Sequence, residues 1–358
     1  MTYNKQLDGL RFIAIFSVFI AHWIQWVIPS TFFRELPYGS GVILFFVLSG
    51  YLITRILLEF RIRNKETGKS NLASVKSFYI RRTLRIFPVY YLTIFFLFFL
   101  NYDNTRALFS WLVSYTLNIK MAFEQFRVGS FTHFWSLGVE EQFYLFWTFV
   151  IVFSPEKYLK QIIFGFIIFS LLFHYYLTYY SPYPQAAANL VITNMHKLGV
   201  GGLIAYWSVY NKEQLTKIKG RWIKILLLAV IAIFLVFFTW IPQNNYPHFI
   251  KFLKEPILVI IYGLLILLSV KNSFKGLIRL FLENRFIVYL GKISYGMYVF
   301  HLFMSLLYFN FITRHIRIPY TDLGCFIIFF VITVTLASLS WFLIEKPVNN
   351  LKRYFHYS

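Results

Sequence analysis

The strongest constraint on the fold of this chain is a series of long apolar runs that follow one another through its 358 residues. A helix needs about 20 mostly apolar residues to cross a bilayer. Only 14% of the residues are charged and 22% are aromatic, whereas soluble domains usually carry about 25% charged residues. These runs predict a polytopic helical membrane protein, because a helix satisfies its own backbone hydrogen bonds in lipid.

The apolar runs predict an all-α protein with about ten transmembrane helices in a single domain, residues 1–358. One stretch, 107–119, is apolar but short for a span, and we expect it to be an interfacial or re-entrant segment on the outer side. The predicted spans lie near 8–29, 40–60, 83–101, 139–154, 160–180, 191–208, 221–240, 252–270, 289–312 and 322–344.

Lys and Arg are distributed unevenly between the connecting segments. If the N-terminus lies inside, the inner segments carry 25 of these residues and the outer segments carry 8. Because basic residues concentrate on the cytoplasmic side, both termini are predicted to be cytoplasmic, and the protein is placed in the cell (plasma or inner) membrane. This pattern also accounts for the net charge of +21, so the lipid bilayer is the expected partner and nucleic acid is not.

The first predicted helix carries two ionisable residues, Arg11 and His22. They are eleven positions apart, so they lie on one helix face, roughly 20° apart around the axis and about 16 Å along it. An Arg suits phosphate recognition, and a His suits general-base catalysis near neutral pH. An interfacial Arg and a His bonded to a backbone carbonyl would explain the same pair equally well.

Two further groups of charged residues stand at the ends of predicted spans. Arg82 and Arg85, with Arg11, would bind a polyphosphate well, although Arg82 also fits a positive-inside anchor. Glu140 and Glu141 open the fourth span, and neighbours on a helix point about 100° apart. We therefore expect only one of the two carboxylates to face the interior.

The second span begins near Gly41 and contains Ser49 directly before Gly50. A serine in a span can act as a nucleophile, but no base neighbours Ser49 in the sequence. The glycines allow close approach of another helix, so packing is the favoured role of this segment.

The remaining candidates are single polar residues within later spans. Tyr295 and His301 belong to the ninth span, where an isolated His is most often a hydrogen-bonded core residue. His196 and Lys197 interrupt the sixth span without an evident role. No metal-ligand spacing occurs along the chain, so no metal is expected. Glu345, at the end of the last span, is predicted to pair with one of the inner arginines.

The ordered set of motifs resembles the acyltransferase-3 family of membrane acyltransferases. The segments appear in the family's order and cover nearly the whole chain. His196 and Lys197 depart from the pattern, because the resemblance leads us to expect an Arg in that span. The residues that carry the resemblance are Asp8-Gly9-Leu10-Arg11 with His22, Gly41 to Tyr51, Arg81-Arg82-x-x-Arg85-x-x-Pro88, Trp135-Ser136-Leu137-x-x-Glu140-Glu141-Gln142-Phe143-Tyr144, Ile293-Ser294-Tyr295 with His301, and Ile344-Glu345-Lys346-Pro347.

The resemblance implies about ten membrane helices and transfer of an acyl group, commonly acetyl, from acyl-coenzyme A. The implied acceptor is a hydroxyl of a cell-surface or secreted glycan or glycoside. Some members of the family carry an additional SGNH-type hydrolase domain. This chain ends soon after the tenth predicted span, so it resembles the stand-alone form without that domain.

The side-chain chemistry and the resemblance together predict one site. Its arginines hold the coenzyme A phosphates, His22 takes the acceptor's proton, and a carboxylate orients His22 or binds the acceptor. Ser49 and backbone amides are the expected oxyanion donors. The predicted arginines are Arg11, Arg82 and Arg85, and the predicted carboxylate is Glu140 or Glu141.

Two other function classes fit part of the same sequence. A transporter or flippase for a lipid-linked sugar also needs many helices and buried charges, although the halves of this chain show no similarity to each other. A non-catalytic membrane scaffold or sensor needs only the helices. Transfer of label from radiolabelled acetyl-coenzyme A distinguishes the enzyme from both.

Overall fold

The computed structural model describes residues 3–23, 38–124, 128–240, 247–304 and 322–355. The regular structure of these residues is helical, and none of them forms a strand. The helices are α1 (Lys5–Trp23), α2 (Gly41–Thr67), α3 (Asn71–Leu100), α4 (Thr105–Val113), α5 (Leu117–Glu124), α6 (Trp135–Phe153), α7 (Leu159–Tyr180), α8 (Pro184–Asn189), α9 (Val191–Tyr210), α10 (Lys212–Lys217), α11 (Gly220–Leu235), α12 (His248–Val270), α13 (Gly276–Glu283), α14 (Arg285–Lys292), α15 (Ser294–Phe300), α16 (Asp322–Ser340) and α17 (Lys346–Asn350).

Six helical stretches of the described residues are long and apolar enough to cross a membrane. The chain is therefore an all-helical membrane protein, as predicted, whereas the count of ten spans and the cytoplasmic termini stay predictions. Three further predicted spans coincide with α1, α6 and α9, whose polar residues lower their hydropathy. The six stretches are Gly41–Thr67, Asn71–Leu100, Glu156–Tyr180, Gly220–Phe238, His248–Val270 and Leu323–Tyr354.

The ninth predicted span, 289–312, is not one continuous helix in its described part. α14 ends at Lys292, Ile293 adopts φ −88° and ψ 5°, and α15 continues only to Phe300. α14 packs closely against α1, since a Cβ on Gly291 would collide with the backbone carbonyl of Asp8. Packing against α1 therefore determines the course of α14, and apolar content alone does not reveal the break. Residues 305–312 lie outside the described ranges.

The apolar stretch at 107–119 forms parts of two short helices. α4 has nine residues and α5 has eight, and the chain turns between them through Tyr115, whose φ is +55°. A span needs about 20 residues, so the structure confirms that this stretch does not cross a membrane as a single helix.

α2 lies in close backbone contact with both α1 and α9. A Cβ on Gly50 would collide with the carbonyl of Leu198 in α9, and a Cβ on Gly41 would collide with the carbonyl of Ala14 in α1. The close approach predicted for these two glycines is confirmed. Because α2 is fixed between two neighbours, the side chains that it presents to the interior are held in defined positions.

Candidate active site

A cavity of about 630 Å³ lies among α1, α2, α3, α6, α15 and the segment around α17. Its volume falls in the range of about 300–1,000 Å³ that is typical of small-molecule sites. Six basic side chains and three carboxylates line it, so its charge is positive on balance. The basic side chains are Arg11, Arg55, Arg82, Arg85, Lys292 and Lys352, and the carboxylates are Asp8, Glu140 and Glu141.

Most of the sequence-predicted site residues meet in this cavity, although they come from five different helices. Two predicted residues, His22 and His301, are not part of its lining. The predicted residues that line the cavity are Arg11, Ser49, Arg82, Arg85, Glu140, Glu141 and Tyr295.

Two of the cavity arginines are held by carboxylates. Arg11 Nη1 lies 3.1 Å from Asp8 Oδ1, and Arg55 Nε lies 2.9 Å from Glu59 Oε1. The Tyr3 hydroxyl also donates to Asp8, over 2.7 Å. Burial and this hydrogen bond raise the pKa of the Tyr3 phenol, so Tyr3 stays a donor. Asp8, part of the motif around Arg11, therefore positions the arginine.

Arg82 and Arg85 have no such carboxylate. Neither forms an ion pair within the described part of the chain. The Arg82 guanidinium lies 3.7 Å from the centroid of the Tyr144 ring, and its Nε is buried without a hydrogen-bond partner. A stacked guanidinium with an unsatisfied nitrogen, such as that of Arg82, is well suited to a phosphate ligand, which it can bind in a bidentate manner.

Both Glu140 and Glu141 line the cavity, so the expectation that only one faces the interior is wrong. The cavity extends around the first turns of α6, and directions about 100° apart both meet it. Ser49 Oγ lies 2.5 Å from the Tyr144 hydroxyl. Tyr295 donates from its hydroxyl to a backbone carbonyl of α3 over 2.8 Å.

Glu345 is not paired with an inner arginine. Its buried carboxylate accepts a hydrogen bond from Ser340 Oγ over 3.3 Å, and no basic nitrogen of the described residues lies within the 4.0 Å of an ion pair. Arg81 instead donates to the backbone carbonyls of Lys352 and Phe355, each over 3.0 Å. The charges of Glu345 and Arg85 nevertheless act on each other, so the predicted partnership with an inner arginine is not a direct ion pair.

His22 lies in a group of three imidazoles. Its exposed ring is 5.0 Å from the ring of His301, which is 4.8 Å from the ring of His133, measured between centroids. His22 Nδ1 lies 2.8 Å from the carbonyl of Val18, the backbone contact expected on the non-catalytic interpretation. That contact also fixes the tautomer, so Nε2 carries the lone pair that a general base needs.

A pair of hydroxyls connects these imidazoles to the cavity. Ser136 Oγ and the Tyr298 hydroxyl lie 2.5 Å apart, and both side chains line the cavity. Tyr298 also donates to the backbone carbonyl of His133 over 2.8 Å. No role was predicted for His133 or Tyr298, although Tyr298 precedes His301 by three positions and so shares its helix face.

A second polar cluster gives His196 and Lys197 a common partner. Glu255 Oε1 lies 3.0 Å from Lys197 Nζ, 3.1 Å from His196 Nε2 and 3.6 Å from His174 Nδ1. The two histidines and the carboxylate have ligand atoms within 4.8 Å of one another, close enough to hold a metal ion. They come from α7, α9 and α12, so spacing along the chain could not reveal them. Because the Lys197 ammonium already neutralises this carboxylate, the cluster is best described as a buried ion pair.

The fold and the cavity define an all-helical membrane protein with a cationic pocket beside an imidazole group. The family model Acyl_transf_3, described as an acyltransferase domain, matches residues 4–342. The chain therefore belongs to the acyltransferase-3 family, which confirms the family predicted from the motifs.

Several curated proteins are similar to nearly the whole chain. It is 28% identical to SAS0844 of Staphylococcus aureus (strain MSSA476), over 97% of this chain and 57% of that protein. It is 27% identical to the peptidoglycan O-acetyltransferase OatA of Listeria monocytogenes serovar 1/2a (strain ATCC BAA-679 / EGD-e), over 99% of this chain and 57% of that protein. It is 25% identical to the O-acetyltransferase OatA of Staphylococcus aureus (strain NCTC 8325 / PS 47), over 97% of this chain and 57% of that protein.

This chain thus spans less than two thirds of the length of these relatives, 57% in each case. No solved structure matches it.

Proposed function

We propose that this protein is a membrane O-acetyltransferase. It takes an acetyl group from cytoplasmic acetyl-coenzyme A and transfers it to a hydroxyl of a cell-surface or secreted glycan or glycoside. The observation that carries the proposal is the cationic cavity, in which neither Arg82 nor Arg85 forms an ion pair with a carboxylate of the described residues. Family membership and the two relatives named O-acetyltransferases support the same reaction.

Coenzyme A carries three phosphate groups at one end and the thioester at the other. Four basic side chains of the cavity form no ion pair with a described carboxylate and would hold the phosphates. They are Arg82, Arg85, Lys292 and Lys352. The pantetheine arm would then extend along the cavity, and the thioester would lie toward Ser136 and Tyr298. The plasma or inner membrane is the proposed location, because the donor is cytoplasmic and the acceptor lies outside.

The reaction needs a base on the acceptor side. His22 Nε2 takes the proton from the acceptor hydroxyl, whose oxygen attacks the thioester carbonyl. The new C–O ester bond forms, the C–S bond breaks, and the departing thiolate receives the proton. Ser49 and Ser136 line the cavity. To donate to the oxyanion, their hydroxyls would turn away from Tyr144 and Tyr298, their present partners.

The two carboxylates take a different role from the one expected. Glu140 and Glu141 lie in the cavity, where their charges act on Arg82, whereas the rings beside His22 are imidazoles. We therefore assign the carboxylates to positioning the donor-binding arginine, and His22 to the proton transfer.

The test uses purified protein in nanodiscs with radiolabelled acetyl-coenzyme A and chitin- or peptidoglycan-derived oligosaccharides. We expect transfer or hydrolysis of the label by the wild type and a loss of about 10²–10⁴-fold in His22→Gln, the usual contribution of a general base. A folded His22→Gln variant with wild-type rate contradicts the mechanism. Movement of a lipid-linked sugar without any acyl chemistry contradicts the function.

A further inference from the structure

Each of the three imidazoles beside the cavity has a nitrogen against a backbone carbonyl. A carbonyl only accepts hydrogen bonds, so the nitrogen facing it carries the proton. His301 Nδ1 lies 2.7 Å from the Tyr298 carbonyl, and His133 Nε2 lies 3.2 Å from the Val299 carbonyl. The lone pair of His301 is therefore on Nε2, whereas His133 faces the carbonyls of both Val299 and Ser130, and its tautomer is not fixed by them.

The lone pair of His301 Nε2 is buried without a hydrogen-bond partner in the described structure. His301 is fully buried, and His133 is 3% exposed. A buried acceptor without a donor is costly and calls for an explanation. His133 lies 4.8 Å from His301 between ring centroids but is itself buried, so the adjacent imidazole that is exposed and can exchange a proton is the ring of His22, 5.0 Å from His301.

We propose that His301 Nε2 accepts a hydrogen bond from the protonated ring of His22, and so holds the proton that His22 takes from the acceptor hydroxyl. His301 acts as a positioning residue for this base, and the inference rests on the proposed function. When His22 becomes an imidazolium, its Nε2–H and His301 Nε2 form an N–H···N hydrogen bond. The bond is lost when the proton passes to the departing thiolate.

The surroundings of His22 favour this arrangement. The titratable groups that face its ring in the described structure are His301, from the turn after α15, and His133, from the turn before α6. Asp8 and Arg11 lie near the other end of α1, and Arg11 is about 16 Å away along the axis. The lone pair of His301 Nε2 is the acceptor that these rings offer to the new charge.

Two variants of one residue separate this role from a purely structural one. In His301→Asn the amide nitrogen replaces Nδ1 and can still donate to the Tyr298 carbonyl, but nothing replaces Nε2. In His301→Gln the amide reaches the position of Nε2 and its oxygen can accept from His22. We expect kcat for acetyl transfer to fall at least about tenfold in the Asn variant and less in the Gln variant. KM for acetyl-coenzyme A should be unchanged in both.

The reverse order, with the Asn variant more active, would show that His301 serves only to bind Tyr298, and it overturns the proposal. Wild-type kcat in the Asn variant also overturns it. If both variants lose activity equally, a direct measurement of the protonation of His22 decides whether His301 accepts its hydrogen bond.

Diethyl pyrocarbonate supplies that readout, because it modifies neutral, exposed imidazoles and requires no acyl transfer. The extent of labelling of the His22 peptide is measured by mass spectrometry as a function of pH. We expect the labelling midpoint to fall by about one pH unit in His301→Asn, with the exposed His248 as an internal reference that does not move. An unchanged midpoint overturns the proposal, whereas failure of the proposed function appears separately as a wild type without transferase activity.

Discussion

Arg82 and Arg85 are distinguished from Arg11 and Arg55 by a property that can be measured. They form no ion pair within the described residues, so their charges are available to a ligand. Arg85→Gln should raise KM for acetyl-coenzyme A by about 10–100-fold, since a hydrogen bond to a charged group contributes about 1.5–3 kcal/mol. Steady-state kinetics with varied donor checks this.

Arg63→Gln provides the matched control for that experiment. Arg63 is an exposed arginine of α2 outside the cavity lining, so its removal should leave KM unchanged. An unaltered KM in Arg85→Gln would show that Arg85 does not bind acetyl-coenzyme A. Arg85→Lys should also be impaired, because an ammonium cannot bind phosphate in a bidentate manner.

The site shows which single residues a sequence can reveal. Arg11, Arg82 and Arg85 were predictable because charged residues inside apolar runs are rare and costly. His133 and Tyr298 were not, because each is an ordinary residue in its own segment. Their proximity arises only from packing of the turn before α6 against α15.

At the level of whole helices, the contact between α2 and α9 depends on Gly50. Gly50→Ala would place a methyl group against the Leu198 carbonyl, so the helices must separate. Overpacking of this kind costs about 1–3 kcal/mol, and the thermal unfolding midpoint in detergent should fall. Gly165→Ala in α7 is the control, because nothing lies within 4 Å of a Cβ added there. Equal midpoints for the two variants would refute the close approach.

The ion pair of Lys197 with Glu255 connects α9 to α12. Glu255→Gln leaves a buried ammonium unpaired, and removal of one partner of such a pair costs about 3–5 kcal/mol. The double variant Lys197→Met with Glu255→Gln should recover much of the loss in thermal stability. If the single variant is as stable as the wild type, the pair has no structural role. A chelator that lowers the midpoint of the wild type would point to a metal instead.

The sequence predicted the helices that are apolar throughout their length, and it did not predict the helix break that depends on packing against another helix. α2, α3, α7, α11, α12 and α16 are apolar enough to be recognised by composition alone. The division of the ninth predicted span into α14 and α15 depends on the contact of Gly291 with Asp8. Such a contact joins residues almost the whole chain apart, and local periodicity does not encode it.

The electrostatic character of the cavity belongs to the molecule as a whole, because its six basic and three acidic side chains come from all parts of the chain. Salt screens interactions between charges, with a Debye length of about 8 Å at 0.15 M and about 3 Å at 1 M. KM for acetyl-coenzyme A should therefore rise with ionic strength. S-acetylpantetheine, which lacks the phosphates, should show a KM independent of salt, and a parallel rise for both donors would contradict phosphate binding.

The predicted topology is also a property of the whole chain. In a Cys325→Ser background, the variant Lys219→Cys should react with a membrane-impermeant maleimide only after the cells are permeabilised, because its segment is predicted to be inside. A cysteine at Tyr183 should react in intact cells, because its segment carries no Lys or Arg and is predicted to be outside. The same accessibility at both positions would overturn the predicted arrangement of spans.

The pair formed by Ser136 and Tyr298 has a consequence for the cell that harbours this protein. A polar cavity that continued through the molecule would conduct ions and so dissipate the electrical potential of the membrane. The short contact between these hydroxyls lies between the cavity and the imidazole group that includes the exposed His22. A catalyst arranged in this way can pass an acetyl group from one compartment to the other while the bilayer remains an insulator.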